Sequence, residues 1–496
     1  MIEPARRESE TPPVGKEPAG GAKGPSLHFF EVEGARHVFD PESGRFFRID
    51  EAAELAIRLF QERAPEEEIR RRLSDAFPPG PAESALREVS DLVAKGLLCA
   101  RRQEPEEKPA RGAVKPRMVS VTLNVVSSCN LSCIYCWNKG GTYGRTTREK
   151  RMTAETAIRA IDLAVLNSLE TDQILIDFYG GELLLNFEVL RAAMEHCEKI
   201  SKETKRTFSY KVTTNGTLLT EEMVAFFDRM GVSLGVSIDG TKKIHDRNRP
   251  FPDGKGTWKE IQKNIRAAVE AGNIHVSARA TLVPPDLDMV KALKGLFRLG
   301  FRDTEIEFAS EPCELFNPNG TVKFSDADID RMKEEYLKFA KFYLGYALHG
   351  DEAIDVGISN NLTRVLHESH RFSPCGAGSN FACVTEEGNL YPCMGFIGMP
   401  GYKLGTVESG FDIEKLESFR HDMRTVVFEA EECDGCWARY VCAGNCPANN
   451  VQYNQKIFEP HKRSCDWLKF QLETAMWVAS ELQRKKPDRL AGYEPA

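Results

Sequence analysis

Residues 120–136 read SVTLNVVSSCNLSCIYC, a strand-like apolar run followed by three closely spaced cysteines. Further strand-like runs downstream alternate with amphipathic helical patterns, which predicts a parallel α/β barrel, complete or partial. In such a barrel the chemistry lies at the carboxyl ends of the strands, where the connecting loops converge. The three cysteines fall at that position. The further runs are QILIDFY (173–179), FSYKVTTN (208–215), VSLGVSIDG (232–240) and HVSARATLV (275–283).

The size and charge of the chain exclude several classes of protein. Its 496 residues predict three or four folding units, at about 100 to 200 residues per domain. With 66 Lys and Arg against 74 Asp and Glu, no global basic surface attracts nucleic acid or anionic lipid. No apolar run approaches the ~20 residues of a membrane span, and residues 1–26 lack the apolar segment of a signal peptide. We therefore expect a cytoplasmic protein, with neither nucleic acid nor membrane as partner.

Fourteen cysteines are the feature that composition alone does not explain. In a chain without an export signal, clustered thiols more often bind metal or do chemistry than form disulfides. We interpret the three isolated ones, Cys99, Cys197 and Cys313, as packing residues. The other eleven form two groups: Cys129, Cys133 and Cys136, and then Cys375, Cys383, Cys393, Cys433, Cys436, Cys442, Cys446 and Cys465.

The first group has the spacing C-x3-C-x2-C within one loop. Three thiolates at this spacing bind three irons of a cubane cluster and leave the fourth iron open to an exogenous amino and carboxylate group. Such a cluster supplies one-electron chemistry that protein side chains do not perform. Structural zinc is the alternative interpretation, but zinc usually takes four ligands and no fourth Cys or His lies nearby.

This spacing, with the aromatic Tyr135 before the last cysteine, resembles the signature of the radical S-adenosylmethionine (SAM) enzymes. The resemblance implies a partial (β/α)6 TIM-like barrel in which Cys129, Cys133 and Cys136 hold a catalytic [4Fe-4S] cluster. The reduced cluster would cleave SAM to a 5′-deoxyadenosyl radical, which removes a hydrogen atom from a substrate carbon. The expected SAM contacts are Tyr135, Gly180, Gly181 and Glu182 of DFYGGE, Asn215 between Thr214 and Gly216, Ser237 and Asp239 of VSIDG, and Arg279.

Each residue type suits the contact expected of it. Glycine lets a backbone approach a ligand closely, and the carboxylate of Glu182 complements the SAM ammonium group. The guanidinium of Arg279 matches the SAM carboxylate. Ser237 and Asp239 resemble the residues that bind ribose hydroxyls in the family.

The second group contains C-x2-C-x5-C-x3-C and resembles the SPASM extension of peptide-modifying radical SAM enzymes, which carries two auxiliary iron-sulfur clusters. Three [4Fe-4S] clusters are thus implied in all. Many relatives have another cysteine shortly after the position of Cys393, but MGFIGMP offers none. Cys383 either substitutes as a ligand or is a buried, non-ligating thiol. The resemblance assigns Cys375, Cys393 and Cys446 to one auxiliary cluster, and Cys433, Cys436, Cys442 and Cys465 to the other.

The segment before the barrel has strand-like runs followed by three helical patterns, as in a winged helix. It resembles the PqqD-like element that grips the leader of a ribosomally made precursor peptide, with strand addition as the expected mode. DNA reading is the alternative, although acidic residues flank the arginines of EEIRRRLSDAF (67–77). The expected units are a disordered tail (1–26), a recognition domain (27–100), a linker (101–117), the barrel (118–325), a helical connection (326–373), the SPASM domain (374–470), and a C-terminal helix and tail (471–496).

A maturase of a ribosomally synthesised peptide or a protein subunit is therefore expected, with a flavodoxin or ferredoxin as electron donor. We favour a thioether product, because an open auxiliary iron would bind a substrate cysteine. The GAG after Cys375 and the YPC around Cys393 also look like those of thioether-forming relatives. Carbon-carbon crosslinking, epimerisation and anaerobic sulfatase maturation are the alternatives within the class. A zinc-stabilised winged-helix regulator is the alternative outside it, and metal identity separates the two.

Overall fold

A computed structural model describes residues 3–4, 26–100, 117–145, 149–169, 173–271, 274–310, 322–349, 356–367 and 370–493. Most of the expected tail and linker, and the packing residue Cys313, lie outside the described residues. No helix in those ranges is both long and apolar enough to cross a membrane.

The N-terminal unit is an antiparallel sheet with three helices. Its elements are β1 (Glu3–Pro4), β2 (His28–Val32), β3 (Ala35–Asp40), β4 (Arg45–Ile49), α1 (Glu51–Gln61), α2 (Glu66–Ala76) and α3 (Pro79–Ala94). The strand order is β1-β4-β3-β2. One face of the sheet, with Val38 and Phe47, packs on the three helices. The other face, with Phe39 and Phe46, joins the core of the rest of the protein.

Six parallel strands, with helices between them, form one side of a second sheet. The strands are β5 (Ser120–Asn124), β6 (Gln173–Tyr179), β7 (Thr207–Thr214), β8 (Val232–Ser237), β9 (Val276–Leu282) and β10 (Asp303–Phe308). The helices are α4 (Ala154–Leu166), α5 (Phe187–Glu203), α6 (Glu221–Arg229), α7 (Lys242–Asn248), α8 (Trp258–Ala271) and α9 (Met289–Arg298). The strands lie side by side in chain order and β10 does not pair with β5, so the prediction of a partial α/β barrel is confirmed.

The two faces of this sheet differ in polarity. Ile174, Ile176 and Phe178 of β6 are fully buried in the core that includes the helices. Alternate residues of a strand point to opposite faces, so the residues between them face away from the helices, on what we call the inner face. The inner face carries Asp177 of β6, Lys211 of β7, Arg279 of β9, and Glu305 and Glu307 of β10.

The cysteine-rich region continues the same sheet, which its turn-rich sequence did not predict. The elements after the barrel are α10 (Asp326–His349), α11 (Val356–His367), β11 (Phe381–Val384), β12 (Asn389–Tyr391), β13 (Gly405–Thr406), β14 (Gly410–Phe411), α12 (Ile413–Glu429), α13 (Arg439–Cys442), α14 (Pro447–Asn454) and α15 (Lys462–Lys485). β11 runs parallel to β5, and β12 to β14 follow it antiparallel. α15 contains Cys465 and contacts α10, α11 and the N-terminal sheet, so the domain boundary expected at residue 470 falls inside one continuous helix.

Candidate active site

The cysteine loop (129–136) follows β5 and is held by the segment after the fourth barrel strand. The backbone amide of Ser132 donates to the carbonyl of Pro250 at 2.9 Å, and that of Ile134 donates to the carbonyl of Asn248 at 3.0 Å. Asn248 is the last residue of α7. Residues 248–250, which follow the fourth barrel strand, therefore help to hold the three thiols in position.

Hydrogen-bond donors lie beside two of the three thiols of this loop. The Gly140 amide donates to Sγ of Cys136 at 3.1 Å, and Nδ2 of Asn215 donates to Sγ of Cys129 at 3.8 Å. Burial raises the pKa of Cys129 to about 12, and charges on Cys133 and Cys136 add to the increase. Because the charges of Cys133 and Cys136 affect the pKa of Cys129, the three thiols lie close together. The N–H donors would stabilise thiolates bound to a cluster. The loop thus fits an iron-sulfur cluster held by three cysteines.

Asp239 is fully buried and lies at the centre of a network beside the loop. Its Oδ2 accepts from the hydroxyl of Tyr135 at 2.7 Å. Its Oδ1 accepts from Nε of Arg249 at 3.1 Å and from the amide of Thr281 at 3.0 Å. Burial raises the pKa of Cys133 to about 11, and the charge of Arg249 opposes that increase. Asp239 was expected to bind the ribose hydroxyls of SAM, but both of its carboxylate oxygens are already bonded to protein groups.

The two glycines of DFYGGE leave space for the cysteine loop. A Cβ on Gly181 would lie 2.1 Å from the carbonyl oxygen of Ser128 and 2.3 Å from that of Gly140. Gly180 has a φ of 151°, and a Cβ there would lie 2.7 Å from the carbonyl oxygen of Val126. Close contact with the protein backbone is thus sufficient to require glycine at both positions, in addition to the ligand contact expected from the sequence.

Glu182 links the end of β7 to the cysteine loop. Its carboxylate accepts from the Thr214 hydroxyl at 2.7 Å, from the Asn215 amide at 2.8 Å and from the Leu184 amide at 3.0 Å. Burial raises the pKa of Glu182. The side chain of Asn215 then donates to Oδ1 of Asn130 in the loop at 2.9 Å. The structure brings these expected site residues together with the three cysteines.

Ser237 and Arg279 lie opposite each other on β8 and β9. Nη2 of Arg279 is 2.9 Å from Oε1 of Glu305 on β10. A Cβ on Gly235 would lie 3.1 Å from Oγ1 of Thr213 and 3.6 Å from Cδ of Arg279, so the arginine crosses the inner face above this glycine. Arg279, the expected partner of the SAM carboxylate, is thus already paired with the carboxylate of Glu305.

Cys433, Cys436, Cys442 and Cys465 line one cavity of about 380 Å³. Burial raises the pKa of Cys433 to about 12, and charges on the other three thiols contribute. The amide of Asn445 donates to Sγ of Cys442 at 3.2 Å. Across the described ranges, no three Cys, His, Asp or Glu side chains converge as a single metal ion requires. Thiols spread around a cavity of this size suit a cluster with several metal ions.

The remaining thiols of the second group form a separate set. Burial and then the charge of Cys446 raise the pKa of Cys375. Burial and the charges of Cys446 and Cys375 raise the pKa of Cys393, so these three lie near one another. Cys383 is fully buried on β11 opposite Tyr391, and burial followed by the charge of Cys393 raises its pKa. The structure therefore sets Cys383 next to Cys393.

Two of the three isolated cysteines are packing residues, as the sequence predicted. Cys197 is fully buried in α5 within the main apolar core. Cys99 is partly buried against the apolar core of the N-terminal unit.

Two features of the site were not predicted from the sequence. Arg249 lies in KKIHDRNRP (242–250), and the available signal was a dense polar run directly after VSIDG. The second feature surrounds Asn124 at the end of β5, whose Nδ2 donates to Oε1 of Glu386 at 3.0 Å. Tyr143 donates to Oδ1 of Asn124 at 3.2 Å. Glu386 comes from the turn between β11 and β12, and no local sequence pattern indicated this contact.

Comparisons with known proteins agree on one family. A sequence model of the radical SAM superfamily matches residues 123–294. A probable GTP 3′,8-cyclase of Methanosarcina mazei is 30% identical over 340 residues, which cover 64% of this chain and 89% of that protein. A serine-type anaerobic sulfatase-maturating enzyme of Bacteroides thetaiotaomicron is 28% identical over 372 residues, which cover 70% of this chain and 84% of that protein.

Two solved structures are similar to this chain in fold. Histidine-tagged anSMEcpe with bound AdoMet is 21% identical with a TM-score of 0.62, and the match covers 76% of this chain and 98% of that chain. Streptococcus suis SuiB bound to the precursor peptide SuiA is 14% identical with a TM-score of 0.52, and the match covers 88% of this chain and 98% of that chain.

An open parallel barrel with three cysteines in the loop after its first strand is the arrangement of a cluster-dependent α/β enzyme. The chain belongs to the radical SAM superfamily. This family implies SAM as the cofactor and one [4Fe-4S] cluster, and the thiols and N–H donors of the cysteine loop fit that cluster.

Proposed function

We propose that this enzyme modifies a ribosomally synthesised peptide or a protein subunit and that its product is a thioether between a cysteine sulfur and a substrate carbon. One observation carries the peptide part of the proposal. Residues 118–496 are 379 of the 496 positions, or about 76% of the chain. The SuiB match covers 88%, so the fold likeness to this peptide-bound protein includes part of the chain before residue 118.

Contacts of the N-terminal unit with the rest of the protein support a role in presenting the substrate. The ring of His28 stacks on Trp437 with centroids 4.1 Å apart, and its Nε2 is 2.8 Å from Oε1 of Glu473. Arg48 pairs with Glu481 of α15 at 2.5 Å. Because Trp437 follows Cys436, a peptide held by the N-terminal unit would have a fixed position relative to the second cysteine group.

The N-terminal sheet offers two edges for a leader peptide. Within the part of the chain that the structure describes, β2 has no neighbour on its outer side, and β4 pairs on its outer side with the two residues of β1. Strand addition supplies backbone hydrogen bonds to an extended peptide at such an edge. We propose this mode for leader binding.

For the cofactor, we propose that SAM lies at the carboxyl ends of β6 to β9, against Gly180–Glu182, Asn215, Ser237 and Arg279. Asp239 would act through its neighbours, because its oxygens are bonded to Tyr135 and other protein groups. The cluster on Cys129, Cys133 and Cys136, when bound and reduced, supplies the electron that cleaves SAM to a 5′-deoxyadenosyl radical. A flavodoxin or ferredoxin is the proposed electron donor.

Two auxiliary [4Fe-4S] clusters complete the proposal. The cavity lined by Cys433, Cys436, Cys442 and Cys465 supports one of them. The mutual charge effects of Cys375, Cys393 and Cys446 support the other. We propose that Cys383 is not a ligand, because it is fully buried within β11, whereas Cys375, Cys393 and Cys446 keep some exposure. The first auxiliary cluster would then keep a position open for a substrate cysteine.

Anaerobic sulfatase maturation is the second candidate function. It is favoured by the 28% identity to a serine-type sulfatase-maturating enzyme over 84% of that protein. The two candidates differ in what they ask of the N-terminal unit. A thioether-forming peptide maturase needs it to hold a leader, whereas sulfatase maturation gives it no task.

Metal analysis of the anaerobically reconstituted full-length protein is the first test. Three four-iron clusters give about 12 iron and 12 acid-labile sulfide per chain. About 4 of each would retain the SAM chemistry and remove both auxiliary clusters, and with them the proposed thioether route. Stoichiometric zinc in a colourless protein would favour the winged-helix regulator instead.

The product identifies the reaction. Reconstituted enzyme, SAM and dithionite are incubated with two probes: a leader-bearing cysteine peptide encoded beside the gene, and a cysteine-containing sulfatase peptide. A thioether removes two hydrogen atoms and one free thiol and gives no carbonyl. Sulfatase maturation instead gives an aldehyde that reacts with a hydrazide. Cys133→Ala is the matched inactive control, and the absence of both products would overturn both candidates.

A further inference from the structure

Asp177 is a carboxylate in the middle of β6, outside the hydrogen-bond network of the cysteine loop. It is in register with Thr122 on β5 and with Lys211 on β7. Its chain neighbours Ile176 and Phe178 are fully buried towards the helices, so Asp177 points to the inner face of the sheet. It is only partly buried, and a molecule lying on the inner face would contact it.

No hydrogen bond or ion pair joins Asp177 to any other residue that the structure describes. Arg279, by contrast, is paired with Glu305 at 2.9 Å. Burial raises the pKa of Asp177 to about 6, and the charges of Lys211 and Arg279 limit that increase. A partly buried carboxylate without a partner costs free energy, which points to a ligand that completes its hydrogen bonds.

Asp177 lies between the two groups of cysteines. Tyr179, two residues further along the same face, is about 7 Å away along the strand. Burial and then the charge of Cys136 raise the pKa of Tyr179, so its phenol lies near the cysteine loop. On the other side, Asp177 contributes, after burial and Cys393, to the raised pKa of Cys383. A substrate that reaches from the SAM site to Cys393 would therefore pass over Asp177.

The oxidative modifications open to this enzyme all release a proton and an electron. Once a hydrogen atom has left the substrate carbon, joining that carbon to a cysteine sulfur requires the loss of one electron and of the thiol proton, the latter as the sulfur binds iron or as the bond forms. Aldehyde formation in a sulfatase peptide releases the same pair. The proposed iron-sulfur cluster held by Cys375, Cys393 and Cys446 would take up the electron, while the proton needs an acceptor within hydrogen-bond reach of the substrate.

We propose that the carboxylate of Asp177 accepts this proton, a role that rests on the proposed peptide-modifying function. Five titratable groups of the inner face influence the protonation of Asp177, four directly and Glu305 through its pair with Arg279. The two cations, Lys211 and Arg279, favour the ionised carboxylate, and Arg279 also pairs with Glu305. The five groups are Lys211 on β7, Arg279 on β9, Glu305 on β10, Cys383 on β11, and Tyr179 on the same strand.

Carboxyl labelling tests this role without any need for turnover. Reconstituted full-length enzyme is treated with a water-soluble carbodiimide and glycine ethyl ester across a pH series, and labelled peptides are quantified by mass spectrometry. Labelling of Asp177 is expected with a midpoint at a pH of about 6, and a bound peptide probe should protect it. An Asp177 that stays unlabelled in the peptide-free enzyme, or that titrates like exposed aspartates, overturns the proposal.

Product yield per SAM cleaved provides the second readout. Asp177→Asn should still form 5′-deoxyadenosine, while modified peptide per 5′-deoxyadenosine falls by about 100-fold, the contribution typical of a positioned base. Asp177→Glu should restore part of the yield, and the wild-type rise in rate through a pH of about 6 should vanish in Asp177→Asn. Glu307→Gln is the matched control, because burial also raises the pKa of this carboxylate at the far end of the sheet.

The outcomes separate this proposal from the function on which it rests. Wild-type enzyme that cleaves SAM but modifies neither peptide probe overturns the proposed function and this role together. If wild type and Asp177→Asn give equal product yields, only the role of Asp177 is overturned. An equal loss of yield in Glu307→Gln would likewise overturn it, because any carboxylate of the inner face would then have the same effect.

Discussion

Arg249 and Asp239 form an ion pair, Nε to Oδ1 at 3.1 Å, in which the arginine is 7% exposed and the aspartate 0%. Arg249→Met would leave a buried carboxylate without its charged partner. Removal of one partner from such a pair costs about 3 to 5 kcal/mol. We expect a loss of this size in the free energy of unfolding of the metal-free chain, measured by urea denaturation.

Arg247→Met is the matched control for this prediction. Arg247 pairs with Asp286 at 2.5 Å, but both side chains are partly exposed. Ion pairs in contact with solvent contribute about 0 to 1 kcal/mol. Equal losses of stability in the two variants would contradict the assignment of Arg249 to a buried structural pair.

Gly181→Ala should prevent the cysteine loop from reaching its position. The added Cβ would lie 2.1 Å from the carbonyl oxygen of Ser128, and backbone atoms at that distance must move. We expect reconstituted iron to fall by about 4 per chain and SAM cleavage to be lost. Iron analysis and chromatography of 5′-deoxyadenosine measure both effects.

Gly345→Ala provides the comparison for this clash. A Cβ on Gly345 in α10 meets nothing within 4 Å, and helical glycine-to-alanine changes stabilise by about 0.5 to 1 kcal/mol. Full iron content and SAM cleavage are expected for it. A Gly181→Ala protein with the iron content of Gly345→Ala would show that the loop tolerates displacement.

The barrel could be predicted from the sequence because its signals are local. Apolar alternation marks five of its strands, and Gly, Asp or Asn follows soon after three of them end. The sixth strand, DTEIEF at Asp303–Phe308, carries Asp303, Glu305 and Glu307 on its inner face. These acidic residues make the inner face polar. They also interrupt the apolar pattern, so the sixth strand was not recognised in the sequence.

Contacts between distant segments could not be predicted in the same way. The pairing of β11 with β5 and the approach of Glu386 to Asn124 join parts of the chain separated by the whole barrel. Neither leaves a local pattern. Likewise, glycine at position 181 could be anticipated for a close approach, but the Ser128 backbone that it approaches became evident only in the fold.

His37 should make stability depend on pH. Its ring bonds to the Ala35 carbonyl at 3.0 Å and to the Ser480 hydroxyl at 2.9 Å, and burial lowers the pKa of His37 from 6.5 to about 4. The neutral ring is favoured by folding, so its full contribution is present above pH 6.5 and is lost as the pH falls towards 4. Between pH 7 and pH 5, wild type should lose about 2 kcal/mol more than His37→Gln.

Urea denaturation of both proteins at the two pH values measures this difference. Carboxylates that titrate in the same range affect wild type and His37→Gln alike and cancel in the comparison. Parallel losses of stability in the two proteins would mean that the folded state does not disfavour protonation of His37.

Cys442→Ala should remove one auxiliary cluster and leave the SAM site intact. Cys442 is one of four thiols around the 380 Å³ cavity, and its Sγ accepts from the Asn445 amide at 3.2 Å. Iron should fall by about 4 per chain, while slow 5′-deoxyadenosine formation without substrate continues. Cys197→Ala, at a buried packing position, should keep its full iron content. Iron equal to wild type in Cys442→Ala would rule out a cluster in this cavity.

Trp437 should couple leader binding to catalysis. Its indole stacks on His28 with an interplanar angle of 4°, and it also contacts Phe39 edge-on, with centroids 5.7 Å apart. Aromatic pairs of this kind contribute about 0.5 to 1.5 kcal/mol each beyond their buried area. Trp437→Leu would therefore loosen the N-terminal unit on the cysteine-rich region, and kcat/KM for a leader-bearing peptide should fall by about 10-fold. For the same peptide without its leader, kcat/KM should stay near the wild-type value, because that substrate does not use the N-terminal unit.

His196→Gln, which removes an imidazole–carboxylate pair with Asp162 on the helical side of the barrel, controls for general effects of surface changes. Equal decreases for both peptides in Trp437→Leu would mean that Trp437 acts on the adjacent cysteine group rather than on leader presentation.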